Sequence, residues 1–123
     1  MVDIITIDKI GEDERGATHY FNTDRTGQFI VAYRKTGSIS GRHYHKGIAP
    51  TKNPEQLILM QGEATVNWFD TRTSIEGSLK VKAPARIHIQ PLAWHEVIAD
   101  TDIIILELNG LEDAKDDTFR IEK

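Results

Sequence analysis

Apolar residues along this chain fall in short runs broken by Gly, Pro, Asp or Asn, and no window of about twelve residues keeps a helical period. Ala64-Thr65-Val66-Asn67-Trp68 alternates apolar and polar, the pattern of a strand with one buried face. Ile103-Ile104-Ile105-Leu106 is apolar throughout and predicts a strand covered on both faces. The pattern predicts strands at Ile4–Ile7, Thr18–Phe21, Gln28–Arg34, Gln56–Met60, Ala64–Phe69, Leu79–Lys82, Ile87–Gln90, Glu96–Ala99 and Ile103–Leu108. They recur roughly every ten residues with turn chemistry between them, as in a sandwich or barrel. The charged tail from Asn109 predicts a helical turn or an irregular, solvated arm. The expectation is an all-β single domain over residues 1–123, a two-sheet jelly roll.

Composition narrows the function classes. Leu, Ile, Val and Phe number 32 of 123 residues, enough to bury a core and to exclude wholesale disorder. Fifteen basic against nineteen acidic residues leave a net charge of −4, and without clustered Lys and Arg no nucleic-acid surface is expected. The absence of cysteine excludes disulfides, thiolate zinc sites and a Cys nucleophile. The N-terminus carries Asp3 early and has no long apolar stretch, so neither a signal peptide nor a membrane segment is expected, and the predicted location is cytoplasmic.

The histidines are the chemically informative residues. His43 and His45 lie two apart in Gly41-Arg42-His43-Tyr44-His45, so in an extended segment both imidazoles point to one face. Glu55 opens the next strand, on a face continued by Leu57 and Leu59, and His95 follows the turn Gln90-Pro91-Leu92. Converging in a barrel, His43, His45, Glu55 and His95 would hold a divalent transition metal: zinc, or iron, manganese or nickel. The other reading is polar surface residues on unrelated strands. No organic cofactor is expected.

The stretch Gly37…His43-x-His45…Glu55-x6-Gly62, followed by Pro91…His95, resembles the two motifs of the cupin superfamily. It differs in a longer loop between His45 and Glu55, which reads as an insertion beside the barrel mouth, and in Leu92 standing where cupins often have Gly. Within the cupins, Asp13-Glu14-Arg15-Gly16 resembles a signature of enzymes acting on nucleotide-linked 4-keto-6-deoxy sugars. Residues 89–96 are similar to a stretch of sugar 3,4-ketoisomerases, and Gly41-Arg42-His43-Tyr44 to the base-carrying segment of 3,5-epimerases. Glu55 and Asp116-Asp117-Thr118-Phe119 look like the metal-binding C-terminal cupin domain of capsular-polysaccharide epimerase–reductases.

The resemblance implies proton transfer beside a ketone, with a small-molecule nucleotide sugar as partner and a place in polysaccharide biosynthesis. His43 and His45 are then either metal ligands or metal-free acid–base residues, because a ligated imidazole has no lone pair left to act as base. With the metal held, the base would be His88, Glu96 or Tyr33. Arg15 is the expected clamp on the diphosphate, and His88 and Tyr33 the expected substrate contacts in the cavity. The 3,5-epimerases use a late tyrosine, whereas no tyrosine follows Tyr44 here, which favours a proton shift at one site over double epimerisation. The alternatives are a metal-dependent cupin of another class, such as an oxygenase, and a non-catalytic sugar-binding cupin. Cupins of this group suggest a homodimer in which Ile4–Ile7 crosses to the partner.

Overall fold

The computed structural model describes residues 1–121. One wall is a five-stranded sheet in the order β1 (Val2–Thr6), β9 (Ala85–Ile89), β6 (Glu55–Gln61), β11 (Ile103–Glu107), β4 (Ile30–Arg34). The facing wall is four-stranded, in the order β5 (Ile39–His43), β10 (Ala93–Ala99), β7 (Glu63–Asp70), β8 (Glu76–Lys82). A separate hairpin joins β2 (Asp8–Asp13) to β3 (Gly16–Tyr20), and a short helix α1 (Leu111–Asp116) follows β11. The paired strands run antiparallel. Two antiparallel walls closed face to face make the expected jelly roll.

The core follows from strand alternation. Leu57 and Leu59, Ile87 and Ile89, and Ile103 and Ile105 point inward from the larger wall and meet Ala64, Val66, Val97 and Ala99 of the smaller one. The intervening residues of the larger wall face out, where Ile7, Ile58 and Leu108 make a second small core with Phe21 and Leu106. Leu106 is thereby partly covered on the outer face, which is why β11 needs no polar alternation. The segment after β3 is tied over this face by two arginines. Arg86 donates to the Asn22 carbonyl and the Gln56 side chain, and Arg25 donates to the carbonyls of Thr51 and Pro54. Gly62 makes the turn from β6 to β7 at φ 91°, where an added Cβ would lie 2.3 Å from the Asp102 carbonyl oxygen.

The Asp13-Glu14-Arg15-Gly16 segment forms the turn of an exposed hairpin. Val2 to Thr6 of the N-terminal strand pair with Ile89 to Ala85 of the same chain. Among the described residues no helix is long and apolar enough to cross a membrane.

Candidate functional site

A β-bulge aims the first two histidines. Val97 faces the core and pairs with Ser40, so regular alternation along β5 would turn Arg42 inward and His43 outward. The register instead slips between His95 and Glu96, which oppose His43 and Gly41. Arg42 is the extra residue. Gly41 and Arg42 take left-handed backbone, φ 88° and 61°, so the slip is completed within two residues. Arg42 then points outward to Glu96, with Nε 3.1 Å from Oε2, and His43 faces His95 across the strand pair. Gly41 is needed twice over, since a Cβ there would also stand 3.0 Å from the His95 carbonyl oxygen.

His43, His45, Glu55 and His95 converge at the end of the barrel, with one donor atom from each within 4.8 Å of all the others. Nε2 of His45 and Nε2 of His95 each lie 3.3 Å from Oε1 of Glu55. Two donors about 2.1 Å from one ion are separated by roughly 3.0–3.4 Å at octahedral to tetrahedral angles, so this spacing fits a shared ion. Main-chain carbonyls set both tautomers: Nδ1 of His45 lies 2.6 Å from the Asp117 oxygen, and Nδ1 of His95 lies 3.0 Å from the Ala93 oxygen. Each Nδ1 donates, which leaves the Nε2 lone pair facing the cluster. Nε2 of His45 is buried there with no hydrogen-bond partner, as a ligand atom awaiting an ion would be.

Charge inside the site is carried by Glu55 and Lys52. Lys52 is buried in the loop before β6 and donates to Oε2 of Glu55 at 2.7 Å and to Oδ1 of Asn109 at 2.8 Å. Burial alone would raise the Glu55 carboxyl, but His45, His95 and Lys52 outweigh it and hold it well below its usual range. His43 is pushed down to about 3 by burial and by its neighbours His95 and His45, so at neutral pH it is an uncharged imidazole. The predicted insertion loop is thus part of the site, because it delivers Lys52.

The expected helical turn of the C-terminal segment is α1, and the residues after it close the site instead of forming a solvated arm. Asp117 is fully buried; its carboxylate accepts from the main-chain N–H groups of Lys46 and Ala49 at 2.8 and 3.1 Å. Tyr44 and Phe119 exchange main-chain hydrogen bonds, and their rings lie 5.6 Å apart.

From the cluster a cavity of about 160 Å³ runs between edge strands β4 and β5 to Arg34 and Ser40, whose side chains hydrogen-bond at 3.0 Å. Glu107 of β11 also lines it. The expected substrate residues Arg15, His88 and Tyr33 are all elsewhere. Tyr33 is on the outer face of β4 and 72% exposed. His88 faces away from the core, between Asp3 and Gln56 on neighbouring strands. Arg15 sits at the exposed hairpin turn, ion-paired with Asp13 at 2.7 Å. Glu96 lies on the outer face of β10, bound to Arg42 and Asn67. Trp94 also faces out, stacked on Phe69 at 4.9 Å. His19 has Nδ1 3.2 Å from the Ile7 carbonyl, a structural contact.

Lys52, Arg34 and Glu107 escaped the sequence reading, and Asp117 entered it only within the Asp116–Phe119 resemblance. For Glu107 a signal existed: it continues the inward parity of Ile103 and Ile105. For the role of Asp117 nothing beyond that resemblance did, because its partners are main-chain groups some seventy residues away.

No family model and no curated protein matches the chain. Solved structures do match. A mutant 3,4-ketoisomerase from Thermoanaerobacterium thermosaccharolyticum, in complex with TDP-4-keto-6-deoxyglucose, superposes with TM-score 0.73 at 17% identity, over 98% of this chain and 87% of that one. The fold is a cupin. A 3,4-ketoisomerase from Helicobacter canadensis gives TM-score 0.71 at 20% identity, over 98% of this chain and 90% of that one. A dTDP-4-dehydrorhamnose 3,5-epimerase from Sulfolobus tokodaii gives 0.66 at 16%, over 87% and 68%. The cupin fold explains why residues from strands as far apart in sequence as β5, β6 and β10 meet at one barrel end.

Proposed function

We propose that this protein is an isomerase or epimerase of nucleotide-linked 4-keto-6-deoxy sugars that moves a proton at a carbon beside the ketone. One observation carries the reading: a cluster of three imidazoles and a carboxylate lends His43, His95 and Glu55 to the wall of a small cavity, in a fold matched over 98% of the chain by a 3,4-ketoisomerase holding such a sugar. The cavity, about 160 Å³, lies well below the roughly 300–1,000 Å³ of pockets for drug-sized ligands, so it suits one sugar ring with the nucleotide left outside.

The site residues suit the task. A C4 ketone acidifies the protons on C3 and C5, and catalysis needs a base beside the carbon and positive charge or a donor beside the developing oxyanion. His43, His45, His95 and Glu55 would hold a divalent ion, which supplies Lewis-acid polarisation of the carbonyl oxygen when bound. His43, uncharged at neutral pH, offers a lone pair as a ligand must. Arg34 takes the part expected of Arg15, as the guanidinium on the cavity rim facing the diphosphate. We also infer a homodimer, because the β2–β3 hairpin stands outside both walls with Ile10 63% and Tyr20 47% exposed.

Incubation with TDP-4-keto-6-deoxyglucose in deuterium oxide tests the activity. The expected result is deuterium at a sugar carbon beside the ketone, abolished by chelator and restored by added metal. No exchange into any nucleotide-linked 4-keto-6-deoxy sugar, with or without metal, would retire the enzymatic reading.

A further inference from the structure

We propose that Glu107 is the catalytic proton-transfer residue of this site, taking a proton from sugar C3 and delivering one to C4 on the same face, so that the reaction is a ketone shift and not an epimerisation. The inference rests on the nucleotide-sugar reading above.

Elimination within the cavity comes first. The imidazoles of His43, His45 and His95 and one oxygen of Glu55 are committed to one another's vicinity, and the second Glu55 oxygen is held by Lys52. With an ion held among them, none of these lone pairs would be available to a substrate carbon. Of the other polar side chains on the cavity wall, Arg34 stays protonated and Ser40 accepts from Arg34. Glu107 remains. It is the last residue of β11, in register with Leu57 of β6 and Ile30 of β4, and it shares the inward face with Ile103 and Ile105. Among the described residues its carboxylate has no hydrogen-bond or ion-pair partner. A half-buried carboxylate between Leu57 and Ile105 with no partner is costly unless something binds there, so its retention points to a ligand.

The placement suits the chemistry. Leu57 follows Glu55 by two residues on the same face of β6, so Glu107 stands beside Glu55 at a lateral offset of about one pleat, roughly 7 Å. Glu107 projects from the five-stranded wall, as Glu55 does, whereas His43 and His95 project from the four-stranded wall, so a ring between the walls has Glu107 towards one face and these two imidazoles towards the other. Burial and the Glu55 charge both raise the Glu107 carboxyl above its usual range, toward the pH at which a carboxylate is an effective base.

The step balances without an oxidant. Glu107 takes the C3 proton, the C3–H electron pair becomes the C3–C4 double bond, and the C4 carbonyl oxygen gains a proton from water to give the enediol. Loss of the O3 proton to water re-forms a carbonyl at C3, and Glu107, its half-buried carboxyl having exchanged its proton with solvent, delivers a proton to C4. With one free carboxylate a proton leaves and a proton arrives on one face, which is why inversion at C3 or C5 is not expected.

The test uses the full chain with TDP-4-keto-6-deoxyglucose in deuterium oxide, wild type beside Glu107→Gln and Glu107→Asp. Glu107→Gln should slow deuterium incorporation at least about 100-fold, the low end of what a general base supplies. Its affinity for TDP and its bound metal should stay within twofold of wild type. Glu107→Asp should restore part of the rate, and the wild-type product should be the 3-keto sugar without inversion at C5. Exchange in Glu107→Gln within threefold of wild type would overturn the assignment while leaving the parent reading intact. Parallel loss of TDP and metal binding would also overturn it, by making Glu107 a structural residue. Absence of exchange in the wild type would bring down the parent reading, and the Glu107 role with it.

Discussion

Replacement of Asp117 measures how far the C-terminal segment holds the site together. Its carboxylate accepts two main-chain N–H groups, from Lys46 and Ala49, in a position with no solvent exposure. A hydrogen bond to a charged group contributes about 1.5–3 kcal/mol, and an N–H left buried without a partner costs about 1–3 kcal/mol. Asp117→Asn keeps one acceptor oxygen, sets an NH2 against the other donor and loses the charge at both, so the expected cost is about 2–4 kcal/mol. A chain of this size has a total stability of about 6–18 kcal/mol, which the variant survives. At roughly 4 °C of Tm per kcal/mol, thermal melting followed by circular dichroism should move down by about 8–15 °C. The same change loosens the main-chain oxygen of Asp117 from Nδ1 of His45, now 2.6 Å away. Nitrogen-15 NMR of wild type should show His45 as the single Nδ1–H tautomer, with a mixture in the variant, and metal affinity should fall about 10–100-fold. A variant that melts within about 2 °C of wild type and keeps the single tautomer would refute the reasoning.

Two further predictions concern the first histidine and the bulge before it. In metal-free protein His43 is held at about 3 against an ordinary 6.5, so the unfolded chain binds its proton first as the pH falls. Its contribution is complete above about pH 6.5 and is lost toward pH 3 at no more than about 1.4 kcal/mol per pH unit, a slope in urea denaturation that His43→Gln should flatten. Gly41 and Gly37 have nearly the same φ, 88° and 86°, but only Gly41 has a neighbour, the His95 oxygen, within 3.0 Å of an added Cβ, whereas Gly37 has none within 4 Å. Gly37→Ala should therefore cost the left-handed penalty alone, about 1–2 kcal/mol, while Gly41→Ala should cost more and also weaken metal binding; equal costs and unchanged metal affinity would sink the bulge argument.

The sequence by itself determined the class of fold and the chemical centre. Short β-rich runs without helical period leave a two-walled β architecture as the way to bury Leu57, Leu59, Ile87, Ile89, Ile103 and Ile105, and period-two alternation already assigns those residues to one face. The His43, His45, Glu55 and His95 set was legible because each lies on or beside a recognisable strand and each matches a motif. What alternation cannot show is a register slip, and the inward aim of His43 depends on one, at Arg42. Nor does a sequence show which strands become neighbours. Tyr33 and His88 were read as cavity residues from local spacing, but β4 and β9 present those positions to the outside of the larger wall. Lys52, Asp117 and Glu107 belong to the site only because the tertiary structure brings the β5–β6 loop, the C-terminal segment and the end of β11 to one barrel end. Side-chain facing is a local property with a period, whereas convergence at a site depends on strand order and on main-chain partners many residues away. That is the physical reason the four-residue cluster could be read from the chain while the parts played around it by Lys52, Asp117 and Glu107 could not.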